Sequence, residues 1–239
     1  MQGRITADMT GSRYACFTTN TIGFLNELKN NNNREWFREN KSRYEEHVLD
    51  VALRFIQSMQ DPLEKIAPHF TAIPKRMGGS LMRVYRDTRF SKNKTPYKTN
   101  IGIQFRHEQA KDVHSPGYYV HIDTGQVFLG VGMWRPDAEP LFRIRQRIVD
   151  KEAEWLRASQ DKAFSRHFKL GGQALSRAPR GFDKDHPLLT DIKRKDFIAI
   201  KNLDLGAATH PKFQQRVETA FRAGEAYMRF LCKAVGVPF

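Results

Sequence analysis

The 239 residues carry 40 Lys and Arg against 26 Asp and Glu, a formal net charge of +14, and are 40% hydrophobic and 11% aromatic. That apolar content is enough to bury a core, which excludes a disordered chain, and no apolar run approaches the ~20 residues of a membrane span. Cys16 and Cys232 sit at opposite ends and make neither a zinc pattern nor a disulfide framework, so a reducing, cytoplasmic setting is expected.

Residues 1–20 read as a frayed leader with no hydrophobic stretch of signal-peptide kind. A single α+β domain is expected over 21–239. Thr21 is placed to cap a short helix through Lys29, with Ile22, Leu25 and Leu28 on one side. The asparagines at 30–33 break it. Asn33 then caps a long helix over 34–59, in which Trp36, Phe37, Tyr44, Val48, Val51, Phe55 and Ile56 recur at helical spacing. Asp61-Pro62 ends that helix, and a short third one follows over 63–67.

The period then changes to two. Strands are expected over 81–86, 101–106, 118–123 and 126–134, the last two joined by the hairpin signal Asp123-Thr124-Gly125. Helices return after Asp137, with one stripe at Leu141, Ile144 and Ile148 and another at Trp155, Phe164 and Phe168. A loop-rich stretch, a strand over 197–201 and a final helix over 211–233 complete the chain. Helices, then strands, then helices indicate an α+β fold, a mainly antiparallel sheet flanked by N-terminal and C-terminal helices.

Side chains alternate along strands, so two sheet faces are legible. Met82, Val84, Ile101, Ile103, Phe105, Tyr118, Val120, Ile122, Val127, Leu129 and Val131 make a core face. Arg83, Tyr85, Gln104, Tyr119, His121, Phe128, Gly130, Gly132 and Trp134 make the other. The glycines at alternate positions leave room for a ligand or for a packed helix. The Arg83/His121 face is expected to be concave and partly open.

The charge is clustered. Residues 73–106 carry nine bases and one acid, and residues 141–239 twenty bases and eleven acids. Within the first cluster Arg83, Tyr85, Arg86, Arg89, Lys94, Tyr97 and Lys98 lie among glycines and hydroxyls, chemistry suited to holding phosphate or carboxylate. These seven are the candidate ligand-binding residues. The bland alternative is a scaffold in which each arginine pairs with an acid, Asp87 above all, or Glu35, Glu39 or Glu45.

His121 and Tyr119 are the catalytic candidates, for proton transfer. No HExxH, CxxC, GxSxG or paired-carboxylate pattern is present, so no metal and no cofactor is expected. The leading reading is binding of a phosphorylated or otherwise anionic ligand in a basic cleft. An enzyme acting on such a ligand and a nucleic-acid-binding protein are the alternatives.

The stretches FLNELKNNNNREWFRENKSRY, RMGGSLMRVYRDTRFSKNKTPYKTNIG, PGYYVHIDTG, FLGVGMWRPD and PRGFDKDHPLL together resemble the family catalogued as domain of unknown function 2461. The likeness runs from about Phe24 to the end of the last helix. It implies one α+β domain and supplies no activity, substrate or cofactor. It also implies an acidic residue close to Gln173, where this chain reads Gly171-Gly172-Gln173.

Overall fold

The computed structural model describes residues 17–110 and 114–239. The chain opens with α1 (Thr19–Asn30), α2 (Arg34–Glu39), α3 (Lys41–Tyr44), a wide π turn at Glu45–Leu49, α4 (Asp50–Ser58) and α5 (Gln60–Ile66). Strands β1 (Phe70–Thr71), β2 (Asn100–His107), β3 (Gly117–Asp123) and β4 (Val127–Met133) follow. Then come α6 (Ala138–Asp150), α7 (Glu152–Gln160), α8 (Lys162–His167), β5 (Lys169–Gly171), α9 (Leu189–Ile192), β6 (Phe197–Leu203), α10 (Phe213–Ala223) and α11 (Glu225–Val235). The six strands form one sheet in the order β1-β2-β3-β4-β6-β5, every pair antiparallel. The fold is α+β. No helix among the described residues is long and apolar enough to cross a membrane.

The capping chemistry at the start differs in detail from expectation. Thr18, not Thr21, is the N-cap of α1, and the two threonines bond reciprocally: the Thr21 N–H donates to Thr18 Oγ1 at 3.4 Å and the Thr18 N–H to Thr21 Oγ1 at 3.1 Å. Thr21 is fully buried, and its hydroxyl donates to the His47 carbonyl at 2.7 Å, tying α1 to the wide turn. The fold therefore begins before residue 21, and Phe17 packs in the core against Phe55 and Phe213. Residues 1–16 of the expected leader, Cys16 among them, lie outside the described residues. Asn33 does cap α2, accepting from the Trp36 N–H at 3.0 Å. The single helix expected over 34–59 is broken at Asn40, beyond which α3, the wide turn and α4 run on as one right-handed helical path. Pro62 lies in the first turn of α5, where its missing N–H costs nothing. The final helix is likewise two, meeting at Gly224, which sits against the Val131 side chain where a Cβ would approach it to 3.2 Å.

The core face of the sheet is the expected one for β2, β3 and β4. Ile101, Ile103, Phe105, Tyr118, Val120, Ile122, Val127, Leu129 and Val131 are all buried, and Phe221 of α10 packs on Tyr118 and Phe105. Cys232 is buried in α11, its thiol pushed up to about 12 by desolvation.

The segment over 81–86 is a correction. It forms isolated bridges, Leu81 to Ile103 and Tyr85 to Tyr97, instead of a strand. Leu81 opposite Ile103 takes the core face, and Met82 takes the outer one, with its sulfur over Gly102. One residue of register exchanges the faces, so Met82, not Arg83, is the neighbour of Tyr119. The strands β1 and β5, two and three residues long, carry no readable alternation and were not expected.

The carboxylate near Gln173 comes from elsewhere in the chain. Asp196, buried, accepts from the Gln173 N–H at 2.8 Å and from the Arg135 N–H at 2.9 Å. It clamps the loop after β5 to the end of β4.

Candidate functional site

The pleat of β3 sends Tyr119, His121 and Asp123 to the outer face, at i, i+2 and i+4. His121 Nε2 lies 2.9 Å from Asp123 Oδ2, and His121 Nδ1 lies 3.3 Å from the Tyr119 hydroxyl and 3.5 Å from Asn100 Nδ2. The ring stacks on Phe128 with centroids 4.5 Å apart and planes at 12°. Gly102 is paired with His121 across β2 and β3. A Cβ on Gly102 would meet the Tyr119 oxygen at 2.8 Å, so the absent side chain lets the phenol reach the imidazole.

The hydrogen bonds assign roles. Asp123 Oδ1 accepts from the N–H groups of Gly125 and Gln126, at 2.6 and 2.8 Å, and closes the hairpin. Oδ2 is left for His121. Partial burial would raise the Asp123 carboxyl, but the hydrogen bonds from His121, Gly125 and Gln126 outweigh it and hold it below the usual carboxylate range. An ionised Asp123 makes Nε2 the protonated nitrogen of a neutral ring, so Nδ1 accepts from Tyr119 and Asn100. Burial, then the charge of Asp123, push the Tyr119 phenol up to about 12. At neutral pH it is an O–H donor and not a base. The three side chains form a directed line from phenol to carboxylate.

Beside this line lies a cationic recess of about 330 Å³. Lys29, in the last turn of α1 where the helix dipole favours a cation, forms one wall. Arg86 and Lys98 form another, and Thr95, Thr99 and Asn100 supply polar groups. The side-chain amide of Asn32 pins the far loop to α1. Its Nδ2 donates to the Tyr97 carbonyl and its Oδ1 accepts from the Tyr97 N–H, both at 3.0 Å, as a strand partner would. Arg86 is held by the Thr95 hydroxyl, which donates in turn to Asn93 Oδ1 at 2.8 Å. Asn100 lines the recess and touches His121, so the recess and the Tyr119–His121–Asp123 line adjoin.

The basic candidates divide. Arg86, Tyr97 and Lys98 line the recess. Tyr97 does so only at its edge, being buried and stacked on Phe37 with centroids 4.0 Å apart. Arg83 is exposed and does not line the recess, but its charge reaches Lys98 and Asp87. Arg89 is taken up by a two-pronged ion pair with Asp87 at 2.7 and 3.0 Å, which holds that carboxyl at about 2. Lys94 donates to the Thr88 carbonyl at 2.9 Å. Tyr85 is 55% exposed and lies against the Tyr97 ring, centroids 5.4 Å apart.

The Lys98 ammonium is half-buried. Desolvation, then repulsion from Arg83, lower its pKa. Among the described residues none of Lys29, Arg83, Arg86 and Lys98 forms an ion pair.

Beyond Tyr119 the outer face continues as an apolar trough of about 430 Å³. Tyr119, Phe128, Trp134, Met82, Ile198 and Ile200 are its walls and Gly130 is its floor. No helical residue lines it. The two strand glycines are not equivalent. Gly130 has ordinary space for a Cβ, 3.5 Å from the Cβ of Tyr119. Gly132 has φ +125° and a Cβ there would fall 2.0 Å from the Phe197 carbonyl, so it is required by the backbone.

The model of the conserved hypothetical protein family DUF2461 matches residues 20–230. The chain belongs to this family. The matched range contains every residue of the recess, of the Tyr119–His121–Asp123 line and of the trough. No curated protein and no solved structure matches the chain. Among the described residues no cluster of His, Cys, Asp or Glu is arranged to hold a metal ion.

Lys29, Asn32, Asn100 and Asp123, with Asn93, Thr95 and Thr99, belong to the site but were not among the candidates drawn from the sequence. Asp123 had a readable signal, two residues beyond His121 on a strand, which its role in the hairpin obscured. Lys29 and Asn32 had none, because the contact that brings them to the site joins Asn32 to Tyr97, 65 positions further along the chain.

Proposed function

We propose that the protein binds a phosphorylated or otherwise anionic small ligand in the recess between Lys29, Arg86 and Lys98. The half-buried Lys98 carries the reading. A desolvated ammonium beside a second cation, with no carboxylate to neutralise it, is a standing electrostatic cost that an incoming anion relieves. The recess is also preorganised by the Asn32–Tyr97 and Arg86–Thr95–Asn93 contacts, which lowers the ordering cost of binding.

The test is calorimetric titration of wild type and Lys98→Ala with inorganic phosphate, pyrophosphate and duplex DNA over a salt series. The expected result is saturable small-anion binding near physiological salt that Lys98→Ala weakens about tenfold or more, the equivalent of ~1.4 kcal/mol. DNA binding should fall away with salt, as counterion release requires. Salt-resistant DNA binding with no small-anion site would replace this reading with the nucleic-acid one.

A second reading is that the site is catalytic, and the Tyr119–His121–Asp123 line favours it. An imidazole oriented by a partly buried carboxylate and bonded to a phenol is equipped to move a proton at a group bound beside Asn100. In that role His121 is the base and Tyr119 the donor.

A further inference from the structure

We propose that the trough over Gly130 is the subsite for a planar apolar body, aromatic in character, of the same ligand whose anionic group enters the recess. The inference rests on the anion-binding reading above. Three observations carry it. The two cavities are linked through two side chains, Asn100 and His121: Asn100 lines the recess and lies 3.5 Å from His121, which stacks on Phe128 and bonds to Tyr119, both walls of the trough. The trough has the volume and the lining of a small-molecule subsite, apolar and aromatic walls with a few polar atoms at one place. Its shape selects a flat guest, because Gly130 leaves the backbone uncovered between the Tyr119, Phe128 and Trp134 rings.

Polarity is graded along the face. Cations stand at Lys29 and Lys98, hydrogen-bonding groups at Asn100, His121 and Tyr119, and hydrocarbon from Phe128 to Ile200. A molecule complementary to all three zones carries an acidic group at one end, a hydrogen-bonding group near its middle and a ring at the other end. That pattern also separates this ligand from a simple phosphate, which would use the first zone alone.

The experiment compares 1-naphthyl phosphate, inorganic phosphate and 1-naphthol by calorimetry, on wild type, Gly130→Leu and Trp134→Ala. A leucine at residue 130 projects into the trough from a position where a Cβ has ordinary contacts. Trp134→Ala removes an exposed wall and serves if the leucine variant fails to fold. The expected result is 1-naphthyl phosphate binding at least about tenfold tighter than inorganic phosphate, as burial of an aromatic ring supplies. Both variants should erase that advantage and leave the affinity for inorganic phosphate unchanged. Equal affinities for the two phosphates, or an advantage that survives both variants, would overturn the proposal. So would a wild-type dimer that Gly130→Leu dissociates, since a second copy of this chain would then cover the trough. If 1-naphthol binds in a Gly130→Leu-sensitive way and no phosphate binds, the recess reading fails and the joined ligand with it.

Discussion

His121 Nε2 and Asp123 Oδ2 face each other at 2.9 Å, while the other oxygen of Asp123 is already committed to the Gly125 and Gln126 N–H groups of the hairpin. One carboxylate thus closes a turn and sets the tautomer of the imidazole.

That division of labour makes Asp123→Asn informative. The turn retains the amide oxygen, so the new NH₂ group confronts Nε2 and converts it from donor to acceptor. The proton moves to Nδ1, which then donates to Tyr119. Nitrogen-15 spectra of the imidazole should report the Nε2–H form in wild type and the Nδ1–H form in the variant. An unchanged tautomer would show that Asp123 does not orient His121.

Three glycine substitutions should separate by cause. Gly132→Ala meets the Phe197 carbonyl at a positive φ and should cost roughly 2–4 kcal/mol in chemical denaturation. Gly130→Ala should lie within ~1 kcal/mol of wild type. Gly102→Ala should displace the Tyr119 phenol from His121, seen as a changed chemical shift of His121 Nδ1 by NMR. A mild Gly132→Ala would contradict the backbone assignment.

Thr21→Val keeps the shape of a buried side chain and deletes its bonds to Thr18 and to the His47 carbonyl. Loss of these side-chain bonds should destabilise the fold by about 1–2 kcal/mol. Denaturant midpoints measure it, and an unchanged midpoint would remove Thr21 from the account of the wide turn.

His107 makes the stability depend on mild acid. Its Nε2–H donates to the Pro238 carbonyl at 2.9 Å and its Nδ1 accepts from the Gln109 N–H at 3.1 Å, the bonding of a neutral ring. Burial lowers its pKa. The Pro238 bond and Glu108 oppose that shift, while the neighbouring His69, itself paired with Glu108, adds to it. With the folded value below the unfolded one, the unfolded chain binds more protons, so stability is full above 6.5 and declines as the pH falls from 6.5 toward the lowered value. Thermal melts between pH 7.5 and 5 should show the decline in wild type and a smaller one in His107→Gln.

Lys98 gives the recess a pH signature of opposite sense. An anion favours the charged ammonium, whose free-state pKa is below 10.5. Binding should take up protons in the alkaline range, and affinity should fall as the pH rises through that lowered value. Calorimetry in two buffers of different ionisation enthalpy measures the uptake, which Lys98→Met should abolish.

Local rules made much of the scaffold legible. Alternation at Ile101, Ile103 and Phe105, and again across 118–122 and 127–131, is a nearest-neighbour property of extended chain, and it identified the core face correctly. The Asn33 cap and the turn at Asp123-Thr124-Gly125 are equally local, since each is a side chain bonding to backbone two or three residues on. The tertiary structure decided what local rules leave open. The bridge from Leu81 to Ile103 turned Leu81 inward and Met82 outward, a one-residue matter that composition does not encode. Asn32 reads as a helix breaker until the loop bearing Tyr97 is folded against it. Gly130 and Gly132 are identical in pattern, and only the Phe197 carbonyl beside one of them makes it a backbone necessity and leaves the other as open floor. Of the many cations in the sequence, those that converge on Asn100 and His121 were selected by the packing of α1 against a distant loop, because charge count is additive along a chain and proximity is not.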